Sequence, residues 1–254
     1  RGERGFGYDL FTKYNTTEPI LESLYAEELD KEKRARIAEL KKTDPKAAAE
    51  LQNAISYHID HGYGMDCYAV GPTLGCGTAA LMAGDTIIYP YCYRTQEILD
   101  NGPLRFTVKL EFNPLTVRGD SNVVETRVIT LDAGSYLNKT VVSYTNLKEA
   151  MPVTTGIVLR EPDGVVTADA ANGYITYVDP TTDRSGGNGK IFIGAAFPSL
   201  VKEAKTVLFP EKEKKELRGG ASAWDKAAIK TVDAWNAYMA EYAQKVRTPL
   251  TVTY

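Results

Sequence analysis

The chain has 254 residues, of which 43% are hydrophobic and 25% charged, and its formal net charge is -3. This is the composition of an ordinary globular protein. The small negative charge excludes the strongly basic surface that nucleic acids and anionic membranes attract. No apolar run approaches the roughly 18 residues that a membrane-spanning helix needs. We therefore expect neither a nucleic-acid partner nor a membrane span.

Residues 18–56 are predicted to form a helical insertion, because Ala, Leu, Glu and Lys dominate this part of the chain. The Asp44-Pro45 step should separate a long charged helix from a shorter one, since proline disfavours helical geometry in the residue before it. The charge run from Glu27 to Lys42 predicts a solvated helix face, and a protein-docking surface is the alternative.

The next segment, "YHIDHGYGMDCYAVGPTLGCG" at residues 57–77, holds both histidines of the chain. On a regular strand His58 and His61 would point to opposite faces, whereas in a helical turn they would converge. Gly62 and Gly64 weaken either regular assignment and favour a shaped loop or a bulged strand. Such loops often direct side chains into a functional site.

Three interpretations of this loop remain open. In the first, His58, Asp60 and His61 bind a divalent metal such as calcium or zinc, although a zinc site usually needs three or four converging ligands. In the second, a histidine donates to a backbone carbonyl and Asp60 caps a turn. In the third, His58 or His61 is a catalytic base and Tyr63 or Tyr68 supplies a hydroxyl. We expect no cofactor, with the divalent metal as the alternative.

From residue 82 to residue 209 the hydrophobic period changes to two. In "LRFTVKLEFN" the apolar residues from Leu104 to Phe112 alternate with polar residues from Arg105 to Asn113. Further short strands follow, separated by turn-forming sequences such as "RGDSN" and "DAGS". Many short strands with few helices between them predict a mainly β fold, an antiparallel β-sandwich.

The last element is an amphipathic helix predicted over 222–246, where apolar residues recur every three or four positions. No internal repeat or low-complexity linker interrupts the sequence. We therefore predict a single domain over 1–254, with helical decorations at both ends of the sandwich.

Substrate-binding residues are predicted near the loop and at the first strands of the sheet. Arginine suits two-point recognition of a carboxylate, and tyrosine presents an apolar ring with a polar tip. Each arginine could equally form a cross-strand salt bridge. The predicted substrate-binding residues are Asp66, Tyr91, Tyr93, Arg94, Arg105 and Glu111.

The motifs "HIDHGYGMDCYAVGPTLGCG", "YCYRTQEILDNGPLRFTVKLEF", "VVETRVITLDAGSYLNKTVVSY" and "SAWDKA" together resemble an uncharacterised bacterial family, domain of unknown function 4861. The resemblance runs through most of the chain. It implies a β-supersandwich related to galactose-mutarotase-like and polysaccharide-lyase domains. It also implies a Bacteroidetes protein of polysaccharide utilisation, exported to the periplasm or secreted, with the signal peptide outside the given sequence. The family has a longer stretch where this chain reads "RGGASAW", which indicates either a deletion in this chain or residues missing from the given sequence near Gly220.

The resemblance and the loop together predict a carbohydrate-directed protein whose partner is an oligosaccharide or polysaccharide. The first hypothesis is a lyase that cleaves uronic-acid-containing, pectin-like oligosaccharides by β-elimination. In it, Arg94 or Arg105 neutralises the substrate carboxylate, a histidine takes the proton and a tyrosine protonates the leaving oxygen. The alternatives are a non-catalytic glycan-binding module and a hydrolase or epimerase on the same fold. A hydrolase would need two facing carboxylates, for which Glu97, Glu111 and Glu125 are candidates.

Overall fold

The structure is a computed structural model of the chain. It describes residues 7–13, 21–68, 70, 73–90, 92–159, 164–179, 190–198, 201–207 and 232–247. The chain divides into two compact units, each made of two segments. Unit 1 consists of 1–8 and 71–156, and unit 2 consists of 9–70 and 157–254. The single domain over 1–254 stays a prediction.

Three helices occupy the predicted helical insertion of unit 2. They are α1 (Leu21–Glu28), α2 (Lys31–Thr43) and α3 (Pro45–Ile55). The break at Asp44-Pro45 is confirmed: the Asp44 side chain accepts the Ala47 N–H as the N-cap of α3, and Pro45 occupies the first turn. The break before α2 was not predicted, and there Asp30 accepts the N–H groups of Glu32 and Lys33.

Asp30→Ala is expected to lower the free energy of unfolding by about 1 kcal/mol, because one carboxylate oxygen caps two backbone donors of α2, each at 2.9 Å. Chemical denaturation of the full chain measures the difference. Asp30→Asn is the matched control, because asparagine caps helices about as well as aspartate. Equal stability of the alanine and asparagine variants would contradict the capping role.

The remaining described elements of unit 2 are five strands and one helix. Two short strands from distant positions pair antiparallel, and a three-stranded sheet packs against the helix. The strands are β1 (Phe11–Lys13), β2 (Gly64–Asp66), β11 (Val165–Asp169), β12 (Tyr174–Asp179) and β13 (Ile191–Ala196), and the helix is α4 (Val232–Arg247).

The helix α4 covers the described part of the element predicted over 222–246. Its Met239 and Ala243 side chains are buried, and Asn236 hydrogen-bonds Thr176 and Thr167 of the sheet. The C-terminal helix therefore packs against β12 and β13. The predicted start of the helix and the region near Gly220 lie outside the described residues.

Unit 1 is built from β-strands. One sheet has the order β10-β3-β4, and a five-stranded sheet has the order β5-β6-β8-β7 with β9 also paired to β8. The strands are β3 (Cys76–Ala83), β4 (Thr86–Ile88), β5 (Tyr93–Asn101), β6 (Arg105–Phe112), β7 (Leu115–Val117), β8 (Asp120–Asp132), β9 (Lys139–Thr145) and β10 (Val153–Ile157). The predicted mainly β, antiparallel class is confirmed, and the several sheets are consistent with a β-sandwich.

The strand predicted from "LRFTVKLEFN" is present as β6, but burial does not follow its alternation throughout: Phe106 is 38% exposed, and Thr107 of the predicted polar face is buried. Its Phe106 lies opposite Leu131 of β8, and its Phe112 is buried. Arg105 and Glu111 point to the other face and pair with charged residues of neighbouring strands. None of the helices that the structure describes is long and apolar enough to cross a membrane.

Candidate functional site

The histidine-containing segment forms a loop between the end of α3 and β2, as its glycines predict. Asp60 Oδ1 accepts the Gly62 N–H at 2.8 Å, which closes a short turn. Gly62 has a φ of 100° and Gly64 a φ of 129°, values that side-chain-bearing residues rarely adopt. At Gly64 the backbone also approaches Thr12 so closely that a Cβ atom would lie 2.0 Å from the Thr12 carbonyl oxygen. Glycine at this position therefore fixes how the loop joins β2.

The His61 imidazole is oriented by the backbone of its own loop. Its Nε2 lies 3.1 Å from the Ser56 carbonyl oxygen. Because a carbonyl only accepts hydrogen bonds, this contact assigns the proton of the neutral ring to Nε2. The lone pair is then on Nδ1, which can accept a proton from a bound molecule.

His61 lines a small pocket of unit 2 together with Tyr63. The cavity has a volume of about 270 Å³ and is also lined by Glu27 of α1 and by Ala54 and Ile55 of α3. The ring centroids of His61 and Tyr63 are 6.4 Å apart, and Tyr63 is 40% exposed. An imidazole, a phenol and a carboxylate therefore share one solvent-accessible cavity.

A cation lies beside this pocket. The Lys33 Nζ is 2.5 Å from Glu27 Oε2, and this hydrogen bond raises the pKa of Lys33 above its usual value. The ammonium group therefore stays charged. Sequence reasoning assigned Glu27 and Lys33 to a solvated helix face, because nothing local in a charged helix shows which of its residues reaches a distant loop.

The other histidine is held by a buried carboxylate. His58 Nδ1 lies 3.5 Å from Asp66 Oδ2, and its ring lies 4.2 Å from the Tyr57 ring. The Asp66 side chain is only 8% exposed, whereas that of His58 is 36% exposed. Asp66, predicted as a substrate ligand, thus contacts His58 from within the protein and positions the loop.

The predicted metal ligands have separate partners. Asp60 caps the turn, His61 contacts Ser56 and His58 contacts Asp66. Among the residues that the structure describes, no group of three or more His, Cys, Asp or Glu side chains is arranged to hold a metal ion. In this geometry the three predicted ligands do not form one site.

Tyr68 is 1% exposed, and its hydroxyl donates to the Val158 carbonyl oxygen at 2.6 Å. A phenol buried and bonded in this way does not reach a ligand at the surface in this structure. Of the two tyrosines predicted to supply a hydroxyl, only Tyr63 lines the pocket with a histidine.

The two predicted arginines belong to unit 1, where both form cross-strand ion pairs. Arg94 donates from Nε to Glu111 Oε1 at 2.9 Å. Arg105 contacts both carboxylate oxygens of Asp132, at 2.6 and 3.1 Å, and this pairing lowers the pKa of Asp132. The salt-bridge alternative is therefore what the structure shows for each arginine.

The other predicted residues of unit 1 have varied environments. Tyr93 is 43% exposed and meets the ring of Phe112 edge-on, while Tyr91 lies outside the described residues. The three carboxylates considered for a hydrolase each pair with a cation: Glu97 with Lys109, Glu111 with Arg94 and Glu125 with Arg127.

Sequence reasoning missed the most deeply buried charges of unit 1, Glu125 and Arg127. The alternation of the strand could have identified them, because in "VVETRVITL" both residues fall on the same face as Ile129 and Leu131. Two opposite charges in the middle of an apolar face predict a buried ion pair.

The comparisons with known proteins give a family without an assigned activity. Residues 2–252 match the family described as "Domain of unknown function (DUF4861)". A relative from Formosa agariphila, "Uncharacterized protein P7", is 22% identical over 207 residues, which is 78% of this chain and 51% of the relative. The chain thus spans about half the length of that relative, and no solved structure matches. Since the family match covers nearly the whole sequence, the chain belongs to the family of domain of unknown function DUF4861.

Proposed function

We propose that this chain is a carbohydrate-directed protein that cleaves uronic-acid-containing, pectin-like oligosaccharides by β-elimination. The observation that carries the proposal is the His61 geometry. Its Nε2 donates to the Ser56 carbonyl, so Nδ1 is the basic nitrogen of a ring that lines the same pocket as Tyr63 and Glu27. A positioned base and a hydroxyl donor in one cavity are the groups that proton abstraction beside a carboxylate needs.

In the proposed reaction His61 removes the proton on the carbon next to the substrate carboxylate. The electrons of that C–H bond form a carbon–carbon double bond as the glycosidic C–O bond breaks. The Tyr63 hydroxyl gives its proton to the leaving oxygen. The Lys33 ammonium, held beside the pocket by Glu27, stabilises the charge that develops on the carboxylate.

Lys33 takes the role predicted for Arg94 or Arg105, because it contacts Glu27, which lines the pocket of the base, whereas both arginines belong to unit 1. In this proposal the contact between His58 and the buried Asp66 carboxylate holds the loop in place. Removal of that support is expected to misplace His61, since small displacements of a catalytic group reduce the rate strongly.

The proposal is tested by incubating the full chain with a panel of uronate-containing oligosaccharides, with and without added calcium or zinc. β-Elimination creates an unsaturated product, so we expect ultraviolet absorbance to grow on at least one uronate substrate. Neutral oligosaccharides are the control, because they lack the carboxylate that acidifies the abstracted proton. If the absorbance did not increase with any uronate substrate, with or without added metal, the result would contradict lyase activity.

A non-catalytic glycan-binding module is the second candidate. It is favoured by the 40% exposed Tyr63, whose ring can stack on a sugar, and by the structural bonds that His61 and Asp60 make within the loop. This function predicts oligosaccharide binding without an unsaturated product. It also predicts that alanine at both His58 and His61 changes the affinity by only a few-fold.

A further inference from the structure

A second pocket lies in unit 1, where two loops meet. The turn between β7 and β8 contributes Arg118 and Gly119, the first residue of β8 contributes Asp120, and the segment after β9 contributes Lys148, Glu149 and Met151. The cavity has a volume of about 400 Å³. Pockets for small molecules usually measure about 300–1,000 Å³, so this cavity is large enough for a small ligand.

Charges of both signs line this pocket, and the two carboxylates differ in how firmly they are held. The Asp120 side chain is 14% exposed, accepts the Lys148 backbone N–H at 3.0 Å and lies 3.3 Å from Lys148 Nζ. The backbone hydrogen bond lowers the pKa of Asp120, so the group stays ionised. The Glu149 side chain is 78% exposed and makes a 3.3 Å contact with Arg118 Nη2. Glu149 is therefore the carboxylate that another anion can displace.

The backbone around the pocket is strained in both loops. Among the described residues, the non-glycine positions with positive φ are Arg118 at 51°, Asn122 at 57° and Asn146 at 63°. Asn146 donates from its side chain to the Asn122 carbonyl at 2.8 Å, which ties the two loops together. Left-handed backbone outside glycine costs free energy, and such residues cluster at ligand sites. Of the three, Arg118 lines the cavity itself.

We propose that this pocket binds a carboxylate-bearing polyol, such as a single hexuronate unit. Glu149 shows that the Arg118 guanidinium accommodates a carboxylate at this place, and a ligand carboxylate takes over that contact. Asp120 and Lys148 then bond ligand hydroxyl groups, and Met151 contacts the apolar face of the ring. Once Glu149 is displaced, the two cations Arg118 and Lys148 and the one anion Asp120 leave the pocket with a net charge of about +1, which matches a ligand with one carboxylate. This site goes beyond the proposed function and does not rest on it, because it belongs to the other unit.

The test is a titration of the full chain with glucuronate, measured by calorimetry, with glucose and acetate as comparison ligands. We expect glucuronate to bind more tightly than either, because glucose lacks the carboxylate and acetate lacks the hydroxyls. Arg118→Gln should weaken glucuronate binding about tenfold or more, since it removes a charge-assisted hydrogen bond. Glu149→Gln should tighten binding several-fold, because it removes the internal competitor.

Arg36→Gln and Glu39→Gln are the matched controls, because Arg36 and Glu39 form a comparable exposed ion pair on α2 and should leave the affinity unchanged. A Glu149→Gln variant that binds glucuronate no more tightly than the wild type would overturn the proposal. Equal affinity for glucuronate and acetate would also overturn it, by reducing the site to a simple anion contact. Glucuronate binding that survives Arg118→Gln but is lost in His61→Gln would place the ligand in unit 2 and overturn it as well.

Discussion

Arg127→Met is expected to lower the free energy of unfolding by about 3–5 kcal/mol, because it leaves the Glu125 carboxylate charged and buried without its counter-charge. The two side chains are 2% and 1% exposed. Arg127 Nε donates to Glu125 Oε1, and Nη2 donates to the Ala79 carbonyl at 3.3 Å. The guanidinium carbon also lies 4.4 Å from the centroid of the Phe112 ring. Removal of the arginine thus breaks contacts to three neighbours at once.

The double variant Glu125→Leu with Arg127→Met is the control that separates charge from packing. Replacement of a buried ion pair by apolar side chains of similar size is often neutral or stabilising. We therefore expect the double variant to recover most of the stability lost in Arg127→Met, as measured by chemical denaturation of both proteins. A double variant no more stable than the single one would show that the contacts of the guanidinium, and not charge balance, set the cost.

The same variant should show a characteristic dependence on pH. Burial raises the pKa of Glu125 above its usual 4.5, and the charge of Arg127 opposes that rise. Without Arg127 the folded-state pKa rises further, so the neutral form is favoured on acidification. A group with a raised folded-state pKa contributes its stability below its unfolded pKa and loses it as the pH rises through the folded value. The difference in the free energy of unfolding between Arg127→Met and the wild type should therefore become smaller as the pH falls toward the ordinary pKa range of glutamate.

Much of the fold follows from local sequence patterns. The alternation from Leu104 to Phe112 predicts the strand β6, and the Asp44-Pro45 step marks the start of α3. These features are predictable because strand periodicity and helix caps are decided by residues within a few positions, whereas the burial of each strand residue also depends on its neighbours in the fold. The pairing of β1 with β2 was not predicted, because its partners lie about 50 residues apart and both strands have three residues.

The loop was predictable in character but not in its contacts. Gly62 and Gly64 predict an irregular backbone, and both have positive φ. Which histidine faces a pocket depends on Ser56 and Asp66, whose positions are set by how α3 and β2 enter the loop. The contribution of Glu27 depends on the packing of α1 beside α3, which periodicity in a charged helix does not show.

His61→Gln is expected to reduce kcat/KM on a responsive uronate substrate by about 10²- to 10⁴-fold, the usual loss when a general base is removed. Glutamine retains a side-chain N–H that can donate to the Ser56 carbonyl, so the fold of the loop should persist. Steady-state kinetics and a thermal melt of the same sample separate the two effects.

Two further variants locate the base. Tyr63→Phe keeps the ring but removes the hydroxyl, so it should lower kcat with little change in KM, because the hydroxyl acts on the leaving oxygen. His58→Gln removes the contact with Asp66, and we expect it to lower the melting temperature more than His61→Gln does. If His58→Gln abolished turnover at unchanged stability while His61→Gln remained active, the base would be His58. The pocket of His61, Tyr63 and Glu27 would then not be the catalytic site, since proton abstraction requires the base in direct contact with the substrate carbon's hydrogen.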